Sequence, residues 1–148
     1  MKKFLVLNGA NLNMLGIREP NIYGKNTYKE LVKMLKNYAK AHKIKVFCRQ
    51  SNHEGVLIDE IQRAYFKNFD GIVINPGGYT HTSISLADAL KAVKIPAAEV
   101  HISDVSTREE FRKISYIRSV CAITIAGHGI FGYTEALDFL LNRTAKNG

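Results

Sequence analysis

The sequence predicts an α/β protein: a doubly wound parallel sheet with helices on both faces. Three observations carry that expectation. Five short β-branched or apolar runs alternate with amphipathic helical patterns. The runs are apolar nearly throughout, as strands buried on both faces are. Between them stand Ser/Thr-x-x-Glu signatures, in which side chains at both ends satisfy the orphan N–H groups of a starting helix. A length of 148 residues and 46% hydrophobic content fit one compact domain over 1–148, with a sizeable core.

Taken in order, the first strand is expected at Phe4–Leu7, followed by a long loop reaching Gly24. Thr27-x-x-Glu30 opens a helix over 28–42. Its apolar face is Leu31, Val32, Leu35, Tyr38 and Ala39, and Lys29, Lys33, Lys36, Lys40 and Lys43 form the opposite, wet stripe. The second strand is Lys45–Cys48, and Ser51-x-x-Glu54 opens a helix over 52–67. The third, Gly71–Ile74, leads through a tight turn at Gly77-Gly78 to a helix over 82–93 that Thr80 or Thr82 caps. The fourth, Ala97–Val100, precedes Ser106-x-x-Glu109 and a helix over 107–115; the fifth, Cys121–Ala126, precedes a helix over 132–143. Five β–α units of this size fit a flavodoxin-like sheet. Its order 2-1-3-4-5 is that fold's usual one and not something the periodicity shows.

Charge and composition narrow the function. Lys and Arg outnumber Asp and Glu by 21 to 13, giving +8, which raises the question of a nucleic-acid partner. Much of the excess is the lysine stripe of one helix, so the expectation is a solvated face, no nucleic acid, and a charge suited to an anionic small substrate. No apolar stretch approaches the roughly 20 residues of a membrane span, so no membrane partner is expected. The apolar start turns polar at Asn8-Gly9, too soon for a signal peptide, and the protein reads as cytoplasmic. Cys48 and Cys121 stand far apart in apolar runs, offering neither a metal pair nor a CxxC; buried, reduced thiols are expected.

The polar residues gather at one edge. Asn8 and Asn11 follow the first strand, Asn52 the second, Asn75 the third and His101 the fourth, all at strand carboxyl ends, where open α/β sheets bind ligands. Any one of them taken alone reads as a turn or cap. The loop after the first strand far exceeds the usual 2–6 residues of about that connection type, as binding loops do, and carries Arg18 and Tyr23. It fits no phosphate-cradling pattern. Alternation puts Glu99 and His101 on one side of the fourth strand, where the carboxylate can hold the imidazole's tautomer. Arg108 and Arg112, read as one helical turn apart, suit an anion. His81 stands near a helix start. His42, His53 and His128 read as structural, and no histidine spacing suggests zinc.

Three segments together carry a resemblance. They are Asn8-Gly9-x-Asn11-Leu12-Asn13-x-Leu15-Gly16-x-Arg18-Glu19-Pro20-x-x-Tyr23-Gly24, then Asn75-Pro76-Gly77-x-Tyr79-Thr80-His81-Thr82-Ser83, then Glu99-Val100-His101-x-Ser103 with Arg108-Glu109-x-Phe111-Arg112. From Phe4 to about Leu141 the chain closely resembles type II 3-dehydroquinate dehydratases. The resemblance implies dehydration of 3-dehydroquinate to 3-dehydroshikimate in the shikimate pathway, through an enolate, with no metal or organic cofactor. It implies a homododecamer, a tetramer of trimers, in which a neighbouring subunit completes each site. By that resemblance Tyr23 is the general base and Arg18 favours its deprotonation. Asn75 holds a water near the enolate, and His101, backed by Glu99, protonates the departing hydroxyl. Asn11, Asn75, His81, Ile102, Ser103 and Arg112 match substrate-binding positions, as does Asp88, reaching in from the next subunit. Two positions depart from the family pattern: Ala10 where Pro is common, which loosens the loop, and Asp104 where Asn is frequent, which adds negative charge near an anionic substrate. The competing reading is a non-catalytic flavodoxin-like module binding a nucleotide or nucleic acid. A phosphate loop or a basic-aromatic stripe would mark it, and neither is evident.

Overall fold

The computed structural model describes residues 1–147. Strands β1 (Lys3–Asn8), β2 (Lys45–Gln50), β3 (Gly71–Asn75), β4 (Ala97–His101) and β5 (Ile123–Ala126) form one sheet in the order β2-β1-β3-β4-β5, every pair parallel. The helices are α1 (Pro20–Tyr23, a single turn), α2 (Tyr28–His42), α3 (Glu54–Phe66), α4 (Ile84–Val93) and α5 (Phe131–Asn147).

Alternation along β1 builds two cores. Phe4 and Val6 meet Leu31 and Leu35 of α2 and Leu137 and Leu140 of α5 on one face. Leu5 and Leu7 meet Leu57 and Ile61 of α3 and Leu86 and Leu90 of α4 on the other. The inner strands are buried along almost their whole length, which explains why they read as unbroken apolar runs; edge strand β2 is half-buried. Truncating Leu31 or Leu57 to Ala, both fully buried, costs about 2–5 kcal/mol.

Strand order reverses beside β1. The chain leaves β1 for β2 on one side and returns to β3 on the other, opening a crevice at the carboxyl edge. The register aligns Asn8 with Gln50 and with Asn75 there.

Local chemistry departs from the sequence expectation in several places. Over 107–115 there is no α-helix, only short 3-10 turns at Val105–Thr107 and Glu110–Lys113. Asp104 accepts from both the backbone N–H and the hydroxyl of Ser106, and the Thr107 hydroxyl donates back to the Asp104 carbonyl; such local bonds compete with helix. Ser106 therefore opens no capping box, and Arg108 is extended rather than helical. Ser51 does not cap its helix either: its hydroxyl accepts from the His53 N–H two residues on, and α3 starts after His53. Ser83, not Thr80 or Thr82, caps α4 by accepting from Leu86 N–H at 3.0 Å. Thr27 caps α2 as expected, accepting from Glu30 N–H. A turn at Arg118–Val120 delays β5 to Ile123.

The five lysines of the α2 stripe are exposed. Cys48 and Cys121 are free and half-buried, and burial pushes the Cys121 thiol up to about 12. Among the described residues no helix is long and apolar enough to cross a membrane.

Candidate active site

A cleft of about 540 Å³ opens at the carboxyl edge of the sheet, between the loop after β1 and the segment after β4. Two glycines let the loops close over the strand ends. Gly77 has φ +65°, and a Cβ there would sit 2.4 Å from the Ala10 carbonyl oxygen. A Cβ on Gly9 would sit 2.1 Å from the Pro76 oxygen. Gly9 N–H instead donates to the Asn75 carbonyl at 2.8 Å, tying the two strand ends together.

On one side lies the β4 pair. His101 Nε2 and a Glu99 carboxylate oxygen are 2.5 Å apart, with Glu99 fully buried. Ser115 and Thr124 hydroxyls donate to the same carboxylate at 2.6 and 3.0 Å, and Arg118 Nε lies 3.7 Å from it. Burial alone would raise the Glu99 pKa; the bonds from His101 and Ser115, with smaller help from Thr124, outweigh it and hold the carboxyl below its ordinary 4.5. The carboxylate thus stays ionised beside the imidazole and fixes its orientation.

On the other side lies Tyr23, half-buried at the end of α1. Pro20 starts that turn, Glu19 precedes it with φ +38°, and the Arg18 guanidinium carbon stands 4.6 Å from the phenol ring centre. The turn that Pro20 starts thus brings Arg18 back over the ring. The direct contact to the phenol oxygen, however, is Arg108, whose guanidinium donates to Tyr23 Oη at 2.6 Å and to Ser103 Oγ at 3.4 Å. Arg108 lies 5.0 Å from the ring centre, so the ring faces two guanidinium groups. The sequence points Arg108 at an anion and gives no sign of this contact. The partners are 85 positions apart, and no local pattern joins them.

The remaining site candidates divide clearly. Asn11, Asn75, His81, Ile102, Ser103 and Arg112 line the cleft together with Arg18, Tyr23 and His101. Glu99 stands behind His101 and does not reach the lining. His81 Nδ1 lies 2.6 Å from the Ile114 carbonyl, which assigns the proton to that nitrogen, and burial lowers the pKa of the ring. Arg112 Nε is held by Glu109 at 2.7 Å. Asp88 is exposed on α4 and lines no part of this chain's cleft. Asp104 is likewise outside the lining, its carboxylate engaged with Ser106. His42, His53 and His128 lie elsewhere, on Tyr38, at the start of α3 and on Glu135. No three His, Cys, Asp or Glu side chains among the described residues gather as a metal site.

Comparison with known proteins gives a consistent result. The family model described as dehydroquinase class II matches residues 2–141. A 3-dehydroquinate dehydratase of Caldicellulosiruptor bescii is 53% identical over 93% of this chain and 94% of its own. The type II dehydroquinase structure from Butyrivibrio crossotus superposes with a TM-score of 0.93 at 56% identity, covering 94% of this chain and 97% of that one. That from Propionibacterium acnes gives 0.90 at 41% identity, covering 95% and 96%.

Proposed function

This chain belongs to the class II dehydroquinases, and from that premise we propose how its cleft dehydrates 3-dehydroquinate to 3-dehydroshikimate in the shikimate pathway. The observation that carries the assignment of roles is that one cleft holds two opposed proton-handling groups, each with its own charged partner. Tyr23 sits on Arg108, and His101 sits on Glu99.

Removing a proton α to a ketone and expelling a β-hydroxyl needs a base, a stabiliser for the enolate and an acid. Tyr23 is the base. The Arg108 guanidinium donates to its oxygen and Arg18 faces its ring, so two cations stand beside the atom that takes the proton. Asn75 at the end of β3 holds the water that stabilises the enolate oxygen. His101 protonates the leaving hydroxyl. With Nε2 held by Glu99, Nδ1 is the nitrogen left to deliver that proton. Arg112, Ser103, Ile102, Asn11 and His81 bind the anionic substrate. Asp88, exposed here, contributes to a neighbouring subunit's cleft within a homododecamer of four trimers. Residues 1–148 act as one catalytic domain, in the cytoplasm.

The test is direct. The conjugated enone product absorbs in the ultraviolet where the substrate does not. Protein incubated with 3-dehydroquinate after exhaustive chelation is expected to give a steady rise in absorbance. Borohydride added during turnover is expected to leave the protein mass unchanged. No absorbance change with homogeneous protein would defeat the reading, and a stable lysine adduct would defeat the mechanism. Sedimentation of a fully active monomer would remove the shared-site assignment of Asp88.

A further inference from the structure

Beneath the cleft runs a buried polar chain of which the proposed roles use only Asn75. Asn75 Nδ2 donates to the hydroxyl of Tyr133, on α5, at 2.9 Å. The Tyr133 hydroxyl donates to Asn8 Oδ1, on β1, at 2.6 Å. Asn8 Nδ2 points at Cys48 Sγ at 3.7 Å, and the Tyr28 hydroxyl lies 3.4 Å from the same sulfur. Tyr133 and Asn8 are fully buried and Asn75 is 5% exposed. The other end of the Asn75 amide accepts from Gly77 N–H at 3.2 Å.

The chain has a direction. A hydroxyl has one proton, and Tyr133 spends its proton on Asn8, so toward Asn75 it presents only a lone pair. Turning the Asn75 amide over would set its oxygen against that lone pair and its NH₂ against the Gly77 N–H. Two hydrogen bonds would become two repulsive contacts, one of them against the fully buried Tyr133 hydroxyl. One orientation is therefore selected, and it leaves Asn75 one N–H for the cleft. Burial raises the Tyr133 pKa well above its ordinary value, so the hydroxyl keeps its proton across the working pH range.

We infer that Tyr133 is a positioning residue for Asn75, fixing from α5 which end of the amide faces the substrate. The inference rests on the proposed role of Asn75 as the holder of a water beside the enolate. A water that accepts from the Asn75 N–H keeps both its hydrogens available, one of them for the enolate oxygen. A water donating to a turned amide oxygen has one fewer to give. The orientation set by Tyr133 is the one in which the charge developing on the substrate is met by a donor.

The experiment is steady-state kinetics on Tyr133→Phe, Asn75→Ala and their combination, with Tyr28→Phe as a control. Removing a stabilising donor outright costs about 10²–10³ in kcat, so Tyr133→Phe, which leaves the amide held from the Gly77 side alone, is expected to lower kcat by about 10-fold. KM is expected to move by less than about 3-fold, since the two residues act on the enolate more than on bound substrate. If Tyr133 acts through Asn75, the combined variant is no slower than Asn75→Ala alone. Tyr28→Phe, which loosens the far end of the same chain, is expected to keep the wild-type kcat. Should Tyr133→Phe fail to fold, Asn8→Ala decides the matter: it frees the Tyr133 proton to meet a turned amide, and its loss of kcat is also expected to vanish in the Asn75→Ala background. Losses that multiply in the combined variant, or an equal loss in Tyr28→Phe, would overturn the inference while leaving the dehydratase reading intact. Asn75→Ala at wild-type speed would instead remove the water-holding role and this inference with it.

Discussion

On the His101 side of the cleft the decisive contact is local: Glu99 lies two positions away on the same strand, and both side chains are buried. On the Tyr23 side the decisive contact spans 85 positions, from the loop after β1 to the segment after β4, and the phenol is only half-buried. Strand alternation supplies the proposed acid, His101 with Glu99, almost without help from the rest of the fold. The proposed base, Tyr23, is positioned by a tertiary contact at the end of a long loop. Orientation is therefore secured differently on the two sides: by burial and several converging donors around Glu99, and by two guanidinium groups around Tyr23.

The largest effect that separates the halves is on turnover with stability unchanged. Tyr23→Phe is expected to lower kcat by about 10³-fold or more, near the upper range for a proton-transferring side chain, while substrate still binds. Its thermal midpoint is expected to stay close to wild type, because Tyr23→Phe keeps the half-buried ring of α1 in place against the core and removes only the hydroxyl. Steady-state kinetics alongside a melting curve checks both. A variant that melts far earlier would show that the phenol holds the fold as well as the proton.

Glu99→Gln is expected to disturb both quantities: kcat by about 10- to 100-fold, and stability in a pH-dependent way. The carboxyl is held below its ordinary 4.5 in the folded chain. Its contribution is therefore complete above that value and is lost as pH falls through the lower, folded one. Wild-type protein is expected to lose stability steeply in that acid window, and Glu99→Gln to lose less of its own. Urea midpoints measured from pH 7 down to pH 3 decide it. Parallel curves for the two proteins would mean that Glu99 is not the group that links folding to acid.

How much of this was legible in the sequence follows the same division. The sheet was readable because β1, β3 and β4 are buried on both faces, and their apolar runs have no other use. Glu99 with His101 was readable because a period of two is a property of the strand alone. Arg108 was placed on a helix with Arg112 and assigned to an anion, since Ser106-x-x-Glu109 resembles a helix start. Asp104 captures Ser106 first, and no sequence pattern ranks those two competitors. The helix cap at Ser83 was missed for a similar reason, with Thr80, Thr82 and Ser83 all chemically able to serve. Tyr133 was invisible as a site-supporting residue, because a tyrosine on the apolar face of a helix declares its bulk but not the partner of its hydroxyl.

Within the base half, the two arginines differ in a measurable way. Arg108 touches the phenol oxygen, whereas Arg18 faces the ring. A charge-assisted bond to the phenol oxygen, the proposed proton acceptor, is worth more than a contact to the ring face, so Arg108→Ala is expected to cost about 10²-fold in kcat and Arg18→Ala several-fold less. Matched kinetics on the two variants test the ranking. The reverse order would return the activating role to Arg18, where the sequence resemblance first put it.

The smallest expected effect concerns the residue that joins the halves. After β4 the chain passes Ser103 and Asp104, makes the turn Val105–Thr107, and delivers Arg108 to Tyr23. The resemblance implies Asn at position 104, and the charge of the Asp found there was expected to oppose an anionic substrate. The carboxylate is instead turned onto the Ser106 N–H and hydroxyl and lies outside the cleft lining, and those bonds lower its pKa. Being fully exposed, the charge is screened by water and salt. What matters at this position is then an acceptor for the turn, which Asn supplies as well as Asp. Asp104→Asn is expected to leave KM and kcat within about 2-fold at ordinary salt, as befits an exposed substitution that keeps its local bond. Asp104→Ala removes the acceptor, loosens the turn that carries Arg108, and is expected to lower kcat by a few-fold with little change in KM. A marked fall in KM for Asp104→Asn at low salt, fading as salt is added, would restore the charge as the operative feature and show that the cleft senses residues beyond its lining.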